Sequence, residues 1–357
     1  MTEISICMIV KNEEAVIGRC LESVKDIADE IIIVDTGSTD STKEIISKYT
    51  DKIYDFKWVD DFAKARNFSF SKATKEYIMW LDADDVILPE DYEKFIKLKQ
   101  DIDTNIDIYV MKYNYFVDKD NIPSLIQDRA RLFKRSKNYQ WISPIHEVII
   151  RTGNVKDIDI SITHKKEEIQ DPYRNIRIFE KMKAEGIQLD DRQEYYYARE
   201  FYGMQEFKKA RDLYEEYIQR YEVEYQDKKS FLYPAFLELS DCYKNLFEKE
   251  KQLSTLLKVL KYDIPGSDCC CKIGDVFLES KEYKIAIFWY ELAICNKDIQ
   301  DDKGDVNIDY KEYTPYINLG VCYYWMGDRE KAKEFNEKAG RIKPNDDTYL
   351  YNKNCFQ

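Results

Sequence analysis

The chain has 357 residues, 44% of them hydrophobic, enough for about two domains with ordinary buried cores. Its net charge of -13, with no lysine and arginine cluster interleaved with aromatics, excludes a polyanion such as nucleic acid as a partner. No run approaches the roughly 18 apolar residues of a membrane span, and MTEISICMIV lacks the parts of a signal peptide, so a cytoplasmic protein with no membrane partner is expected.

Nine cysteines, including Cys269, Cys270 and Cys271, form no CxxC pair, and several sit in apolar stretches as Cys7 does. They read as reduced core residues and not as disulfides or zinc ligands.

In chain order, Ile4 to Val10, Ile31 to Val34 and Tyr77 to Leu81 are short apolar runs. Such runs suit strands buried on both faces of a parallel sheet. Between them lie amphipathic stretches, Glu13 to Val24, Ser41 to Lys48 and Asp61 to Thr74. The second opens with Ser41 and Glu44 at capping-box spacing. The alternation predicts an α/β domain with a Rossmann-like, mostly parallel sheet over residues 1–165. Ligands of such sheets bind beyond the carboxyl ends of the strands. The residues after Val10, Val34 and Leu81 should therefore converge: Lys11-Asn12-Glu13, Asp35 to Asp40, and Asp82-Ala83-Asp84-Asp85.

Three acids packed at a strand end repel one another unless a cation or donor answers them. Oxygen ligands suit Mg or Mn. An acidic turn before Pro89 also fits a solvated surface loop, and the motif alone leaves both readings open. Asp35 is placed to accept from a uracil imide or a ribose hydroxyl, with Gly37 permitting a tight turn. Alternatively Asp35, Ser38, Thr39 and Asp40 only cap the next helix, a role that suits Thr39 or Ser41.

Residues 166–190 read as a helical linker. From residue 191 to 357 a helical pattern recurs at intervals somewhat above thirty residues, and the 29 tyrosines concentrate in this half. Tyr316, Leu319, Gly320, Tyr323, Ala332, Ala339 and Pro344 have the spacing of a tetratricopeptide repeat. Gly274, Phe277, Ala286, Tyr290 and Ala293 form a preceding copy. Ala198, Phe201, Ala210 and Tyr214 form a weaker one, and Ser240 with Tyr243 a degenerate one. The array is irregular, with an acidic insertion from Asp298 to Asp309. Stacked helix pairs offer a curved surface for peptides or proteins, although most of the aromatics bury the core between repeats.

Ile9-Val10-Lys11-Asn12-Glu13-Glu14, Val34 to Asp40, Ala65-Arg66-Asn67 and Trp80 to Asp85 together closely resemble family 2 glycosyltransferases of the GT-A fold. Arg131-Leu132-Phe133, Trp141, Ile145-His146-Glu147 and His164 resemble the branch with C-terminal tetratricopeptide repeats, which includes peptide glycosyltransferases of the sublancin type. The resemblance implies an inverting, metal-dependent hexosyltransferase that moves a glucose or N-acetylhexosamine type of sugar from a UDP-sugar to a serine, threonine or cysteine of a peptide or protein acceptor. Val10, Asn12, Glu13, Asp35, Gly37 and Ser38 would line the nucleotide site. Arg66 would lie beside the nucleotide, and Asp82 and Ala83 beside the ribose or sugar. Asp84 and His164 would hold Mn or Mg. Lys165-Lys166 departs from the family's Gly and Tyr after the histidine. Glu147 would be the general base, with Asp128 as the spare candidate and His146 beside it. Two alternatives are a glycan acceptor, with the repeats serving homo-oligomerisation, and a nucleotide-binding scaffold without turnover.

Overall fold

In a computed structural model of the protein, residues 2–118, 122–165, 171–221, 231–299 and 306–356 are described. Lys166 and the acidic insertion's residues 300–305 lie outside them. The chain divides into two compact units, Met1–Val117 with Ile126–Lys181, and Asp118–Leu125 with Met182–Gln357.

The first unit begins β1 (Ile4–Val10), α1 (Ile17–Val24), β2 (Glu30–Asp35), α2 (Thr42–Ile46), β3 (Ile53–Asp55), α3 (Phe62–Lys72) and β4 (Tyr77–Trp80). It continues with β5 (Asp85–Val86), α4 (Pro89–Gln100), β6 (Ile108–Val117), β7 (Pro123–Lys134), β8 (Trp141–Ile142), β9 (Val148–Ile149), β10 (Val155–His164) and α5 (Arg174–Ala184). The main sheet runs β3-β2-β1-β4-β7-β6-β10-β5. β1 pairs in parallel with β2 and β4, and β2 with β3. β7 is antiparallel to β4, and β5 to β10, so the expected mostly parallel sheet has an antiparallel continuation.

The apolar runs are continuous because both faces are covered. Ile4, Ile6, Met8, Val10, Ile31, Ile33, Tyr77 and Met79 pack on one side with Ile17, Leu21 and Phe95 of α1 and α4. Cys7, Ile32, Ile78 and Trp80 alternate to the other side, against Ala63 and Phe70 of α3.

Helix starts differ from the sequence expectation in two places: α1 begins at Ile17 and not at Glu13, and the cap of α2 is not the expected one. Ser41 makes no side-chain cap bond. Instead Asp40 Oδ1 accepts from Thr42 N at 3.0 Å and Glu14 Oε2 from Ser41 N at 2.8 Å. A carboxylate accepts these amides more strongly than a hydroxyl, and Glu14 is supplied by a loop distant in sequence. The first unit also runs past residue 165, because α5 packs on it. Lys181 pairs with Asp60 at 2.7 Å, and Arg174 lies 4.7 Å over Phe62.

The second unit contains α6 (Asp191–Gly203), α7 (Phe207–Tyr221), α8 (Leu232–Asn245), α9 (Lys249–Lys258), α10 (Ser267–Glu279), α11 (Tyr283–Cys295), α12 (Tyr313–Trp325), α13 (Arg329–Ile342) and α14 (Asp347–Cys355). Consecutive helices pair as repeats, and Ala198, Ala210, Ala286, Ala332 and Ala339 are fully buried between them. A Cβ on Gly274 would meet the Tyr290 ring at 2.7 Å, which is why that position carries no side chain. Buried tyrosine hydroxyls need partners, and carboxylates of neighbouring helices accept from them. Tyr202 bonds Asp241 at 2.9 Å, Tyr233 bonds Asp268 at 2.5 Å, and Tyr195 and Tyr214 share Glu238. The cysteines are free, and all but Cys295 and Cys355 are buried. No helix among the described residues is long and apolar enough to cross a membrane.

Glu30 ties the amino-terminal edge of the sheet together. It accepts from Ser5 Oγ at 2.5 Å, from Thr74 N at 2.8 Å and Thr74 Oγ1 at 2.9 Å, and pairs with Lys52. Burial opposes its charge, but bonds from Lys52, Ser5 and Thr74 outweigh burial and bring the carboxyl down to about 2. An unfolded glutamate titrates near 4.3, so the unfolded state binds the extra proton. This stabilisation, about 3 kcal/mol, is therefore complete above pH ~4.5 and is lost as pH falls toward 2. Glu30→Gln should lower the melting temperature at pH 7 and reduce the difference between pH 7 and pH 3, as measured by calorimetry. Gly274→Ala should cost about 1–3 kcal/mol by overpacking in urea unfolding, since Tyr290 is anchored by its 2.7 Å bond to Asp275 and cannot swing aside.

Candidate active site

Register places Val10 beside Asp35 at the carboxyl ends of β1 and β2. Asn12, in the left-handed region at φ 54, accepts from Thr39 N at 2.8 Å, and its own N–H donates to Ser38 Oγ at 3.0 Å. Glu13 N donates to Thr42 Oγ1 at 2.7 Å. The two strand-end loops are thus stitched into one floor. Asp35 is 1% exposed, and its carboxylate accepts from Gly37 N and Ser38 N, each at 3.1 Å. Lys43 stands 3.4 Å away. Burial would raise the Asp35 carboxyl, but the Ser38 and Gly37 bonds and Lys43 hold it below the usual carboxylate range. Gly37 takes φ 111, which a side chain would disfavour.

α3 carries Arg66, which is 7% exposed. Its Nε donates to Glu147 Oε1 at 2.5 Å and its Nη2 to Asp82 Oδ1 at 2.9 Å. The guanidinium lies 4.8 Å from the Trp80 ring centroid and 5.1 Å from that of Trp141. Asn67, next in sequence, fixes the strand that brings Trp141. Its Nδ2 donates to Trp141 O at 2.9 Å, and its Oδ1 accepts from Trp141 N at 2.8 Å. Phe62 N donates to Pro144 O at 2.8 Å, so α3 anchors the whole segment leading to Glu147.

The structure therefore brings Arg66, Asp82 and Glu147 together. His146 has φ 50, and its ring packs against Phe179 of α5 at 6.1 Å. Asp128 is exposed on β7, and its backbone carbonyl accepts from Arg151 at 3.1 Å. Among the described residues no hydrogen bond or ion pair joins its carboxylate to Arg66, Asp82 or Glu147.

Ala83 is buried in the core beneath the turn. Asp84 and His164 meet because β10 returns antiparallel to β5, setting His164 opposite Asp85. His164 Nδ1 lies 3.4 Å from Asp84 Oδ1 and 3.9 Å from Asp85 Oδ1. Tyr113 OH is 2.9 Å from the same nitrogen, and the Tyr115 ring stacks on the imidazole at 5.1 Å. Burial disfavours a charged ring, but Asp84 and Asp85 outweigh it and raise the imidazole to about 9.

From sequence, Arg131 and Tyr113 had no site role, and Asp85, though one of the three acids of the turn, was not singled out as a ligand. Arg131 is fully buried and donates to Asp85 Oδ2 at 2.9 Å. Its signal was present: a charge inside the apolar run Arg131-Leu132-Phe133 must find a buried partner. One potential ligand atom from each of Asp84, Asp85 and His164 lies within 4.8 Å of the others. Asp85 Oδ1 is buried with no hydrogen-bond partner. Two carboxylates and an imidazole with an unanswered buried oxygen fit a divalent cation.

Residues 5–154 match the profile of Glycosyl transferase family 2, and residues 313–346 match a tetratricopeptide repeat. A TPR repeat-containing protein of Synechococcus elongatus is 33% identical over 42% of this chain and 36% of its own length. The glycosyltransferase SunS of Bacillus subtilis is 34% identical over 39% of this chain and 33% of its own. The lipopolysaccharide core biosynthesis glycosyltransferase LpsC of Rhizobium meliloti is 29% identical over 43% of this chain and 58% of its own. The chain thus spans about a third of the length of the first two of these relatives. Among solved structures, the MamA protein aligns with TM-score 0.37 and 19% identity over 49% of this chain and 84% of that one. The N-terminal unit carries a family 2 glycosyltransferase domain with a GT-A-like sheet, and tetratricopeptide repeats follow it in the C-terminal unit.

Proposed function

We propose that the protein transfers a hexose, of glucose or N-acetylhexosamine type, from a UDP-sugar to a serine, threonine or cysteine side chain of a peptide or protein, with inversion, in the cytoplasm. The observation that carries this reading is the Arg66 bridge, which holds Asp82 at 2.9 Å and Glu147 at 2.5 Å at the carboxyl edge of the sheet. Sites of this topology take nucleotides there. The resemblance of the Ile145-His146-Glu147 and His164 motifs to sublancin-type peptide glycosyltransferases supports a peptide acceptor, and tetratricopeptide repeats supply a surface suited to one.

Val10, Asn12, Glu13, Asp35, Gly37 and Ser38 form the floor for uridine. The buried Asp35 carboxylate, kept charged by the turn amides, is an acceptor for a base or ribose donor. Asp82, whose side chain is 37% exposed, faces the sugar side. Asp84 and His164 would hold Mn or Mg, which when bound would offset the charge growing on the departing diphosphate. Glu147 takes the acceptor's proton while the oxygen or sulfur attacks the anomeric carbon opposite the diphosphate. Arg66 orients Glu147 through one oxygen, and stacking on Trp80 and Trp141 orients Arg66. Asp128 is the spare base and His146 a neighbour of the chain that carries Glu147.

A second reading, a glycan acceptor, draws on the likeness to LpsC. Mass spectrometry of proteins and glycans from the native cell, with and without the enzyme, separates the two by which pool loses a hexose.

UDP release from UDP-sugars, measured with and without Mn, tests the enzymatic reading. Tight UDP binding without turnover would sink it in favour of a scaffold. Asp84→Ala should reduce metal-dependent release by about 10²–10³-fold, and a wild-type rate would mean that the metal sits elsewhere. Glu147→Gln keeps an oxygen for Arg66, so UDP affinity by calorimetry should stay near wild type while transfer falls about 10²–10⁴-fold. Parallel loss of both would reassign the base.

A further inference from the structure

The guanidinium of Arg131, on β7, lies between two aromatic faces, 3.7 Å from the Trp80 ring centroid and 4.6 Å from that of Tyr113. One nitrogen, Nη1, donates to Asp85 Oδ2 at 2.9 Å and to Trp80 O at 3.2 Å. The other two, Nε and Nη2, are buried with no hydrogen-bond partner. A fully buried arginine that satisfies so few of its donors is expensive as a purely structural device. Its arrangement makes sense as orientation.

Asp85 Oδ2 accepts a second bond, from Asp82 N at 3.1 Å. Two donors on one oxygen stop the carboxylate from rotating and fix where Oδ1 points. That oxygen is buried, has no hydrogen-bond partner, and lies 3.9 Å from His164 Nδ1. His164 is itself 3.4 Å from Asp84. The same guanidinium supports the ring of Tyr113, whose hydroxyl is 2.9 Å from His164 Nδ1. One buried cation therefore orders two of the three groups, Asp85 directly and His164 through Tyr113.

We infer that Arg131 is a positioning residue that aims Asp85 into the cation site as its third protein ligand. This rests on the reading that Asp84 and His164 hold a divalent metal. Lysine cannot replace Arg131, because an ammonium lacks the planar face that stacks between Trp80 and Tyr113 and the directed N–H that sets Asp85.

The test is Mn2+ uptake by the full chain, followed by electron paramagnetic resonance of free Mn2+ with and without excess UDP, alongside melting curves. Asp85→Asn and Arg131→Lys should each weaken Mn2+ binding about tenfold or more, the usual effect of losing a ligand's support. UDP affinity without metal should stay at the wild-type value. Because Asp85→Asn strands a buried guanidinium, the double variant Asp85→Asn with Arg131→Met removes both charges together. It should fold and still bind Mn2+ at least tenfold more weakly. Wild-type Mn2+ affinity in the folded double variant, with loss in Asp84→Asn, would overturn the role of Asp85 and Arg131 while leaving the metal reading intact. If the wild-type chain takes up no Mn2+ with or without UDP, the metal reading fails and this inference fails with it.

Discussion

Asp82, Asp84, Asp85 and Glu147 gather at one edge of the sheet, and carboxylates so placed repel one another unless cations answer them. Two buried guanidiniums do so here. Arg66 takes Asp82 and Glu147, and Arg131 takes Asp85. Both lie over the ring of Trp80, at 4.8 and 3.7 Å. An aromatic face is a suitable surface for a weakly hydrated, planar cation removed from water. Trp80 is the last residue of β4, so the strand that delivers the acidic turn also delivers the surface on which its counter-charges rest. The His164 ring stands by two of the acids, 3.4 Å from Asp84 and 3.9 Å from Asp85.

Sheet topology makes this balance available. The parallel strands β1, β2 and β4 direct their following loops to one edge, which collects the acids and the nucleotide floor. The reversal at β7 brings Arg131 in from a strand antiparallel to β4, and the reversal at β5 and β10 sets His164 against Asp85. A sheet parallel throughout would have sent the loops after these strands to the same edge. Instead, Arg131 enters the site from within β7, and His164 from the last residue of β10, where sheet hydrogen bonds hold them rigidly. Glu147 is the exception: it lies in an irregular segment, and Asn67 and the Phe62 amide of α3 provide its rigidity.

The acidic balance acquires a structural component in the repeats. Asp241, Glu238, Asp268 and Asp275 accept hydrogen bonds from tyrosine hydroxyls between helices. Their carboxylates match a tyrosine-rich core, where an apolar residue would leave phenol groups unpaired. Part of the net charge of -13 is therefore an internal bonding requirement and not a surface adapted to a basic partner.

Strand runs, the repeat spacing and the acidic turn after β4 could be read from residues in order, because each depends on periodicity or on near neighbours. The same holds for the strand-end placement of Asp35 and Asp84 and for the small residues at Gly274 and Ala286. Of the cap candidates read from sequence, Asp40 serves and Ser41 does not, and Glu14 was missed because it reaches the helix only through the folded loop pair. The roles of Arg131 and Tyr113, and the pairing of Asp85 with Arg131, escaped for a related reason. Forty-six residues separate Asp85 from Arg131 along the chain, and only the antiparallel continuation of the sheet makes them neighbours. Local chemistry along the chain determined which elements form and which edge carries the acids. Tertiary pairing alone decided which cation answers each acid, because burial gives a charge no alternative to the partner that the fold sets beside it.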